Sequence, residues 1–279
     1  MPEKTRSYLL VPAAGAGDGV GHLQRCLALA ERLGPRVSIL ASRMDTTARA
    51  FLMERLARLP ARRRPTLITR VPSGARWDLV VVDARRTGRA ELEQLMRHGL
   101  VVCLDDGGEA ARHASFLIDT IPGLPGVREA NLTSPAFLDL PPRIRPSKTK
   151  RPKKLLVSFG GEDAEDLSGR LLDAVIGAKI FEPSRITVVE GPLFRRHEWP
   201  EGVTVIRHAE SLRPHIADAD LVITHFGITA FEALATGIPA ILLNPSRYHA
   251  ALSRASGIPT VGTRIPDVRM LRALLDEPS

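Results

Sequence analysis

The chain is poor in aromatic side chains, in cysteine and in long apolar runs, and each shortage removes a class of function. Aromatics make up 4% of its 279 residues, too few for the stacking platform on which single-stranded nucleic acids are read. The net charge of +8 therefore favours anionic ligands, or peripheral association with an anionic membrane surface, over specific nucleic-acid recognition, with an Arg-rich solvated surface and no dedicated patch as the plainer reading. Cys26 and Cys103 each stand inside an apolar pattern and read as packed thiols, not as a disulfide framework or half of a metal site. No apolar run approaches the roughly 20 residues of a membrane span. The stretch from Tyr8 to Ala14 lacks a following small-residue cleavage pattern, so a cytoplasmic protein is expected.

What the chain does have is alternation. Short runs of Val, Ile and Leu alternate with amphipathic segments from end to end, the pattern of βα units around parallel sheets. In the first half strands are expected over Tyr8 to Pro12, Val37 to Ala41, Asp78 to Asp83, Leu100 to Leu104 and Phe116 to Ile118, with helices over His22 to Leu33, Asp45 to Leu59 and Arg89 to His98. Leu23, Cys26, Leu27, Ala30 and Leu33 recur at helical spacing, so one stripe of the first helix faces a core.

A run of prolines and cations, PPRIRPSKTKRPKK at 141 to 154, interrupts any regular element and reads as a linker. After it come expected strands Lys154 to Phe159, Arg185 to Glu190, Val203 to Ile206, Leu221 to Thr224 and Ala240 to Leu243. Helices are expected at Ala164 to Ile176, Ser211 to Ala217, Ile228 to Ala235, Tyr248 to Ser256 and Pro266 to Leu275. The expected organisation is an N-terminal Rossmann-like domain over 1 to 142, a linker over 143 to 153 and a C-terminal Rossmann-like domain over 154 to 279. Open α/β sheets bind ligands at the carboxyl ends of their strands, and two such domains are expected to face a central cleft.

The first strand runs into AGAGDGVGH, where Gly15, Gly17, Gly19 and Gly21 precede a helix opening at His22. Such a loop brings backbone N–H groups and a helix N-terminus close to a polar or anionic ligand. It is neither the dinucleotide fingerprint, since His22 stands at the third glycine position, nor a P-loop, since no Gly-Lys-Ser/Thr follows. The partial positive charge of a helix start favours a neutral imidazole at His22, which suits a general base; a plain cap or phosphate contact is the alternative. Asp18 is placed to orient His22 or a substrate hydroxyl, or is a turn aspartate, and Gly19 and Gly21 would line the sugar side.

In the second half LLVSF ends in Gly160-Gly161, where backbone can approach a ligand, and Glu162 and Asp163 read as first-turn helix residues. In LVITHFGITAFEALATGIPAILLNP a strand ends at Thr224, Gly227 permits close approach, and Ile228 and Thr229 open a helix whose N–H groups suit a phosphate. Glu232 interrupts that apolar helix and needs donors, either the vicinal hydroxyls of a ribose or a structural salt bridge. Asp218 and Asp220 precede their strand, the wrong side for an Asp-x-Asp metal site; Asp105 and Asp106 follow theirs, as ligand contacts or as an Asx-turn. No cluster has metal spacing, and neither metal nor cofactor is expected.

The elements GVGHLQRCLALAERL, VVVDAR, LDDGG, LLVSFGGED and THFGITAFEALATGIPAI, in this order, resemble the PseG- and SpsG-like UDP-sugar hydrolases of the pseudaminic-acid pathway and, more distantly, MurG-type N-acetylglucosaminyltransferases of the GT-B fold. The resemblance implies that His22 activates the water that displaces UDP from the anomeric carbon, and that Gly227, Ile228, Thr229 and Glu232 hold phosphate and ribose. VIRHAESL resembles the segment that seats uracil in the MurG-type enzymes, which places the base near His208, Ala209 and Leu212. Three activities follow as expectations: UDP-sugar hydrolase; a GT-B glycosyltransferase with a glycan, lipid or protein acceptor; and a nucleotide-sugar-binding protein without catalysis.

Overall fold

The computed structural model describes residues 6–121, 128–138, 140–144, 152–195, 197–207, 209–265 and 267–276. Most of the expected linker, 145–151, lies outside the described residues. The chain forms two compact units, Met1–Asp139 and Leu140–Ser279.

The first unit runs β1 (Tyr8–Pro12), α1 (Gly21–Leu33), β2 (Val37–Leu40), α2 (Thr46–Arg58), β3 (Thr66–Ile68), β4 (Leu79–Asp83), α3 (Arg89–Met96), β5 (Leu100–Leu104), β6 (Phe116–Asp119) and β7 (Leu132–Thr133). The strands build one sheet in the order β3-β2-β1-β4-β5-β6-β7, with every pairing parallel. Its central strands are continuous apolar runs because both faces are covered. Leu10, Val81, Val102 and Ile118 pack with Leu23, Cys26, Leu27 and Leu52 of α1 and α2. The alternate residues Leu9, Val11, Val80, Val82 and Cys103 pack with Leu92 and Leu95 of α3, as a period of two requires.

The second unit runs β8 (Leu155–Val157), α4 (Leu167–Gly177), β9 (Ile186–Glu190), β10 (Thr204–Arg207), α5 (Arg213–Asp218), β11 (Leu221–Thr224), α6 (Ile228–Thr236), β12 (Ala240–Leu243), α7 (Arg247–Ala255), β13 (Thr260–Gly262) and α8 (Val268–Asp276). Its sheet has the order β10-β9-β8-β11-β12-β13, again with parallel pairings. Leu155, Val157, Val188 and Ile223 face α4, while Leu156, Val189 and Val222 face Ile216 of α5 and Ala233 of α6.

Two local differences from expectation have plain causes. Strands β3, β7 and β13 are short pieces of low burial and lack the apolar runs that mark inner strands. Helix α4 begins later than expected: Asp166 stands at its N-cap, and Asp163, expected inside the first turn, lies ahead of it, its two carboxylate oxygens accepting from the N–H groups of Leu167 and Ser168, each at 2.8 Å.

Both sheets reverse their strand order once, between β1 and β4 in the first unit and between β8 and β11 in the second. At such a reversal successive connections leave to opposite sides, opening a crevice at the carboxyl ends of the two strands, where ligands of open α/β sheets bind.

Candidate functional site

At the β1/β4 reversal the glycine loop folds onto itself. Gly15 and Gly19 exchange N–H to carbonyl hydrogen bonds of 2.9 and 2.8 Å, and the Asp18 N–H donates to the Gly15 carbonyl at 3.1 Å. The Ala16 N–H donates to Asp45 at 2.9 Å, and the same carboxylate caps α2 through Ala48. Those bonds hold the Asp45 carboxyl below its usual range. Gly15, Gly17 and Gly19 have φ of 129°, 82° and 67°, a region other residues rarely adopt, and a Cβ at Gly15 would collide with the Asp45 carboxylate. The amides of Gly15, Ala16, Asp18 and Gly19 are thus bonded within the protein, which leaves the expected contact with an anion to the start of α1. Gly21 begins α1, and His22 follows it in the first turn.

The carboxylate beside His22 is Asp83, not Asp18. Asp83 ends β4, is fully buried, and its Oδ1 lies 2.7 Å from Nδ1 of His22. An ionised carboxylate only accepts hydrogen bonds, so Nδ1 carries a proton, and in the neutral tautomer of the ring Nε2 is the nitrogen with the lone pair. The His22 side chain is 14% exposed, which leaves the ring reachable by a ligand.

Three residues on, and therefore on the same face of α1, buried Arg25 grips the same carboxylate as a fork. Its Nε donates to Oδ2 of Asp83 at 2.7 Å and its Nη2 to Oδ1 at 2.5 Å. Its Nη1 donates to Oδ2 of Asp105 and to Oγ1 of Thr120, while Asp105 accepts from the Thr120 N–H at 2.6 Å. Asp83, Asp105 and Thr120 thus reach one guanidinium from the ends of β4, β5 and β6. Burial alone would raise the Asp83 carboxyl, but the charges of Arg25 and then His22 outweigh it and hold it at about 2. Burial likewise opposes charge on Arg25, and the carboxylates of Asp83 and Asp105 more than restore it, raising its pKa. Cys26, buried and then further hindered by Asp83, has its thiol pushed well up, which makes it packing and not a nucleophile. Asp106 forms the Asx-turn, accepting from the N–H groups of Thr87 and Gly108. Asp119, at the end of β6, is pushed up to about 6 by burial and by neighbouring Asp105.

At the β8/β11 reversal the central side chain is His225. Its Nδ1 lies 2.8 Å from the Phe226 carbonyl and its Nε2 2.9 Å from the Phe159 carbonyl. A neutral ring satisfies one of these acceptors and an imidazolium satisfies both. A Cβ at Gly160 or Gly227 would stand 3.1 or 3.2 Å from the ring, so the glycines let the loops after β8 and β11 close around it. The turn is pinned from below by buried Asn244, which accepts from the Phe226 N–H at 3.0 Å and donates to Thr260 at 3.0 Å. Helix α6 starts at Ile228 after Gly227 with no side-chain cap.

Among the remaining expected nucleotide contacts, Thr229 is buried in the first turn of α6. Glu232 has Arg213 of α5 beside it, Nε to Oε1 3.5 Å, so both donors considered from sequence remain chemically compatible with its position. The Gly161 carbonyl accepts from the Leu193 N–H at 2.8 Å. Ala209 and Leu212 pack against the core under β11; His208 lies outside the described residues. Asp83, Arg25, His225 and Asn244 were not singled out from sequence. Asp83 and Arg25 had a signal, a charge ending an apolar strand and a charge within an apolar helix stripe.

No family model matches the chain. Over 107 residues it is 31% identical to an uncharacterized protein of Methanocaldococcus jannaschii, a match covering 35% of this chain and 22% of that protein. Among solved structures, UGT89C1 of Arabidopsis thaliana complexed with quercetin superposes with a TM-score of 0.62 at 13% identity, covering 99% of this chain and 90% of the other. MurG of Acinetobacter baumannii gives 0.58 at 14% identity, with 96% and 89% covered. HepE of Anabaena in complex with UDP-glucose gives 0.51 at 14% identity, with 85% and 80% covered. The fold is that of the GT-B glycosyltransferases. These neighbours agree with the MurG-type part of the motif resemblance; the hydrolase part stands on the motifs alone. Among the described residues no helix is long and apolar enough to cross a membrane.

Proposed function

We propose that the protein is a GT-B glycosyltransferase that uses a UDP-sugar as donor and His22 as general base. The observation that carries this reading is the 2.7 Å pairing of His22 Nδ1 with buried Asp83, which holds the ring in the tautomer whose Nε2 can accept a proton. In this reading Nε2 takes the proton of an acceptor hydroxyl as its oxygen bonds to the anomeric carbon. The bond from that carbon to the diphosphate breaks, and its electron pair leaves with UDP.

The second unit would hold the nucleotide. Its support is the set of features at the β8/β11 reversal: the Gly160-Gly161 turn, His225 between two carbonyls, and the N-terminus of α6 at Gly227, Ile228 and Thr229. Positive charge there stabilises a departing diphosphate, and Glu232 one turn later would accept from the ribose hydroxyls. UDP is favoured because UGT89C1 was also solved with UDP-L-rhamnose and HepE with UDP-glucose.

The same base would serve water, and the Gly-His-x-x-Arg-Cys element at Gly21 to Cys26 is the feature shared with the hydrolases. Incubating the purified protein with UDP-, GDP- and CMP-sugars, with and without a cell-extract acceptor fraction, separates the readings. Nucleotide release that requires the acceptor is the expected result. Release in buffer alone identifies a hydrolase, and binding without turnover identifies a carrier.

A further inference from the structure

We infer that Arg25 is a positioning residue for His22: by sharing the Asp83 carboxylate with the ring, it lets Asp83 orient His22 without holding it protonated. The inference rests on the reading of His22 as base. Oδ1 of Asp83 is common to His22 Nδ1 and Arg25 Nη2, and Oδ2 accepts from Arg25 Nε. A buried carboxylate with an imidazole as its sole partner would stabilise the imidazolium. The ring would then stay protonated, and idle as a base, to higher pH. A guanidinium forked onto the same carboxylate supplies a full positive charge that this ring need not supply.

The charged groups around the ring set the sign of each effect. Arg25 shares its helix, together with the high-pKa thiol of Cys26. Asp83 comes from β4, Asp105 from the end of β5, and Asp119 from the end of β6 beside Asp105. Asp105 competes for the same guanidinium through Nη1, and Thr120 fixes that corner. Removing the Arg25 charge leaves the Asp83 carboxylate on the ring without its guanidinium, and Asp105 behind it without its cation, so the ring takes up its proton at higher pH. Removing the Asp105 charge frees Arg25 for Asp83 and removes a negative neighbour, so protonation moves to lower pH. The two shifts report the charges themselves; that they reach the reaction is read in the acidic limb of kcat/KM, which moves with the ring only if His22 is the base.

The test follows the His22 ring resonances of protein labelled with 15N-histidine, assigned with His22→Gln, across a pH titration of wild type, Arg25→Met, Arg25→Lys and Asp105→Asn. In Arg25→Met the midpoint should rise and in Asp105→Asn it should fall, each by about one pH unit, with Arg25→Lys between wild type and Arg25→Met. Where turnover is measured, the acidic limb of kcat/KM should move with the midpoint. Midpoints that stay put, or that move in the same direction, overturn the inference. If Arg25→Met does not fold, the near-isosteric Asp105→Asn decides alone: a midpoint that fails to fall refutes it. Midpoints that move as stated in a protein that turns over no nucleotide sugar would remove the proposed reaction and leave the charge sharing standing. Turnover with unmoved midpoints would do the reverse.

Discussion

His22 and Asp83, 61 residues apart in the chain, meet at 2.7 Å, with the carboxylate fully buried and the ring partly open. The pair is assembled by parallel packing of β1 against β4, in which Pro12 is level with Asp83. Four predictions follow from this arrangement and from its counterpart in the second unit.

Replacing His22 by Gln should lower kcat by about 100-fold or more, the ordinary contribution of a general base, while the dissociation constant for UDP should stay within about twofold if the second unit holds the nucleotide as proposed. Asp83→Asn should lose activity comparably and also cost on the order of 3 kcal/mol in urea unfolding, since it leaves the buried Arg25 without its main partner. Full turnover by His22→Gln would eliminate the base assignment.

Stability should fall at acid pH in a defined window. Asp83 is depressed to about 2 in the folded protein, so its contribution is complete above the unfolded carboxylate value of about 4 and is lost as pH drops from there through 2. Asp119 has the opposite sign. Raised to about 6, it favours folding below the unfolded value and loses that contribution as pH rises through 6. Asp119→Asn should therefore raise the Tm at pH 8 and leave it nearly unchanged at pH 4; equal shifts at both would contradict the assignment.

His225→Phe keeps an aromatic ring but removes its hydrogen bonding to the Phe226 and Phe159 carbonyls. If the second unit holds the nucleotide as proposed, calorimetric titration with UDP should show affinity weakened by about tenfold, the scale of losing one hydrogen bond that shapes the turn. Gly160→Ala, at φ of 75° with a new Cβ 3.1 Å from His225, should weaken UDP binding in the same direction and cost about 1 kcal/mol of stability. At Gly227 the backbone is extended, with φ of 168°, so an alanine there should disturb the ring without backbone strain.

Glu232 can be tested with altered ligands. If it accepts from ribose hydroxyls, 2′-deoxy and 3′-deoxy analogues of UDP should bind the wild type more weakly than UDP, and Glu232→Gln should reduce that discrimination. If it serves only Arg213, which lies 3.5 Å away, the discrimination survives in Glu232→Gln and the variant loses stability instead.

Much of the scaffold was legible in the sequence because buried parallel strands are written as unbroken apolar runs. Leu100 to Leu104 and Leu221 to Thr224 needed no tertiary information. Strands of two or three residues at sheet edges, such as Leu132–Thr133, form through pairing with a neighbour and leave no run to detect. His22 was visible as the polar residue where a glycine loop meets a helix. Its partner was not, because nearness in sequence favoured Asp18 and the sheet delivers Asp83. Gly15 to Gly19 read as an open cradle; whether a loop's amides are free depends on hydrogen bonds such as the one Asp45 makes from the next βα unit.

Arg25 collects the ends of β4, β5 and β6 in a single guanidinium, so Asp83 is clamped beside His22 only when all three strands are seated. Opening the sheet at β6 would disconnect Thr120 and slacken Asp105, and because Leu117 and Ile118 sit in the two apolar layers on either side of β1 and β4, it would loosen those layers in the same event. On heating, the pairing of His22 with Asp83 should therefore be lost together with the apolar layers in one cooperative step, the guanidinium acting as a pin driven through three strands.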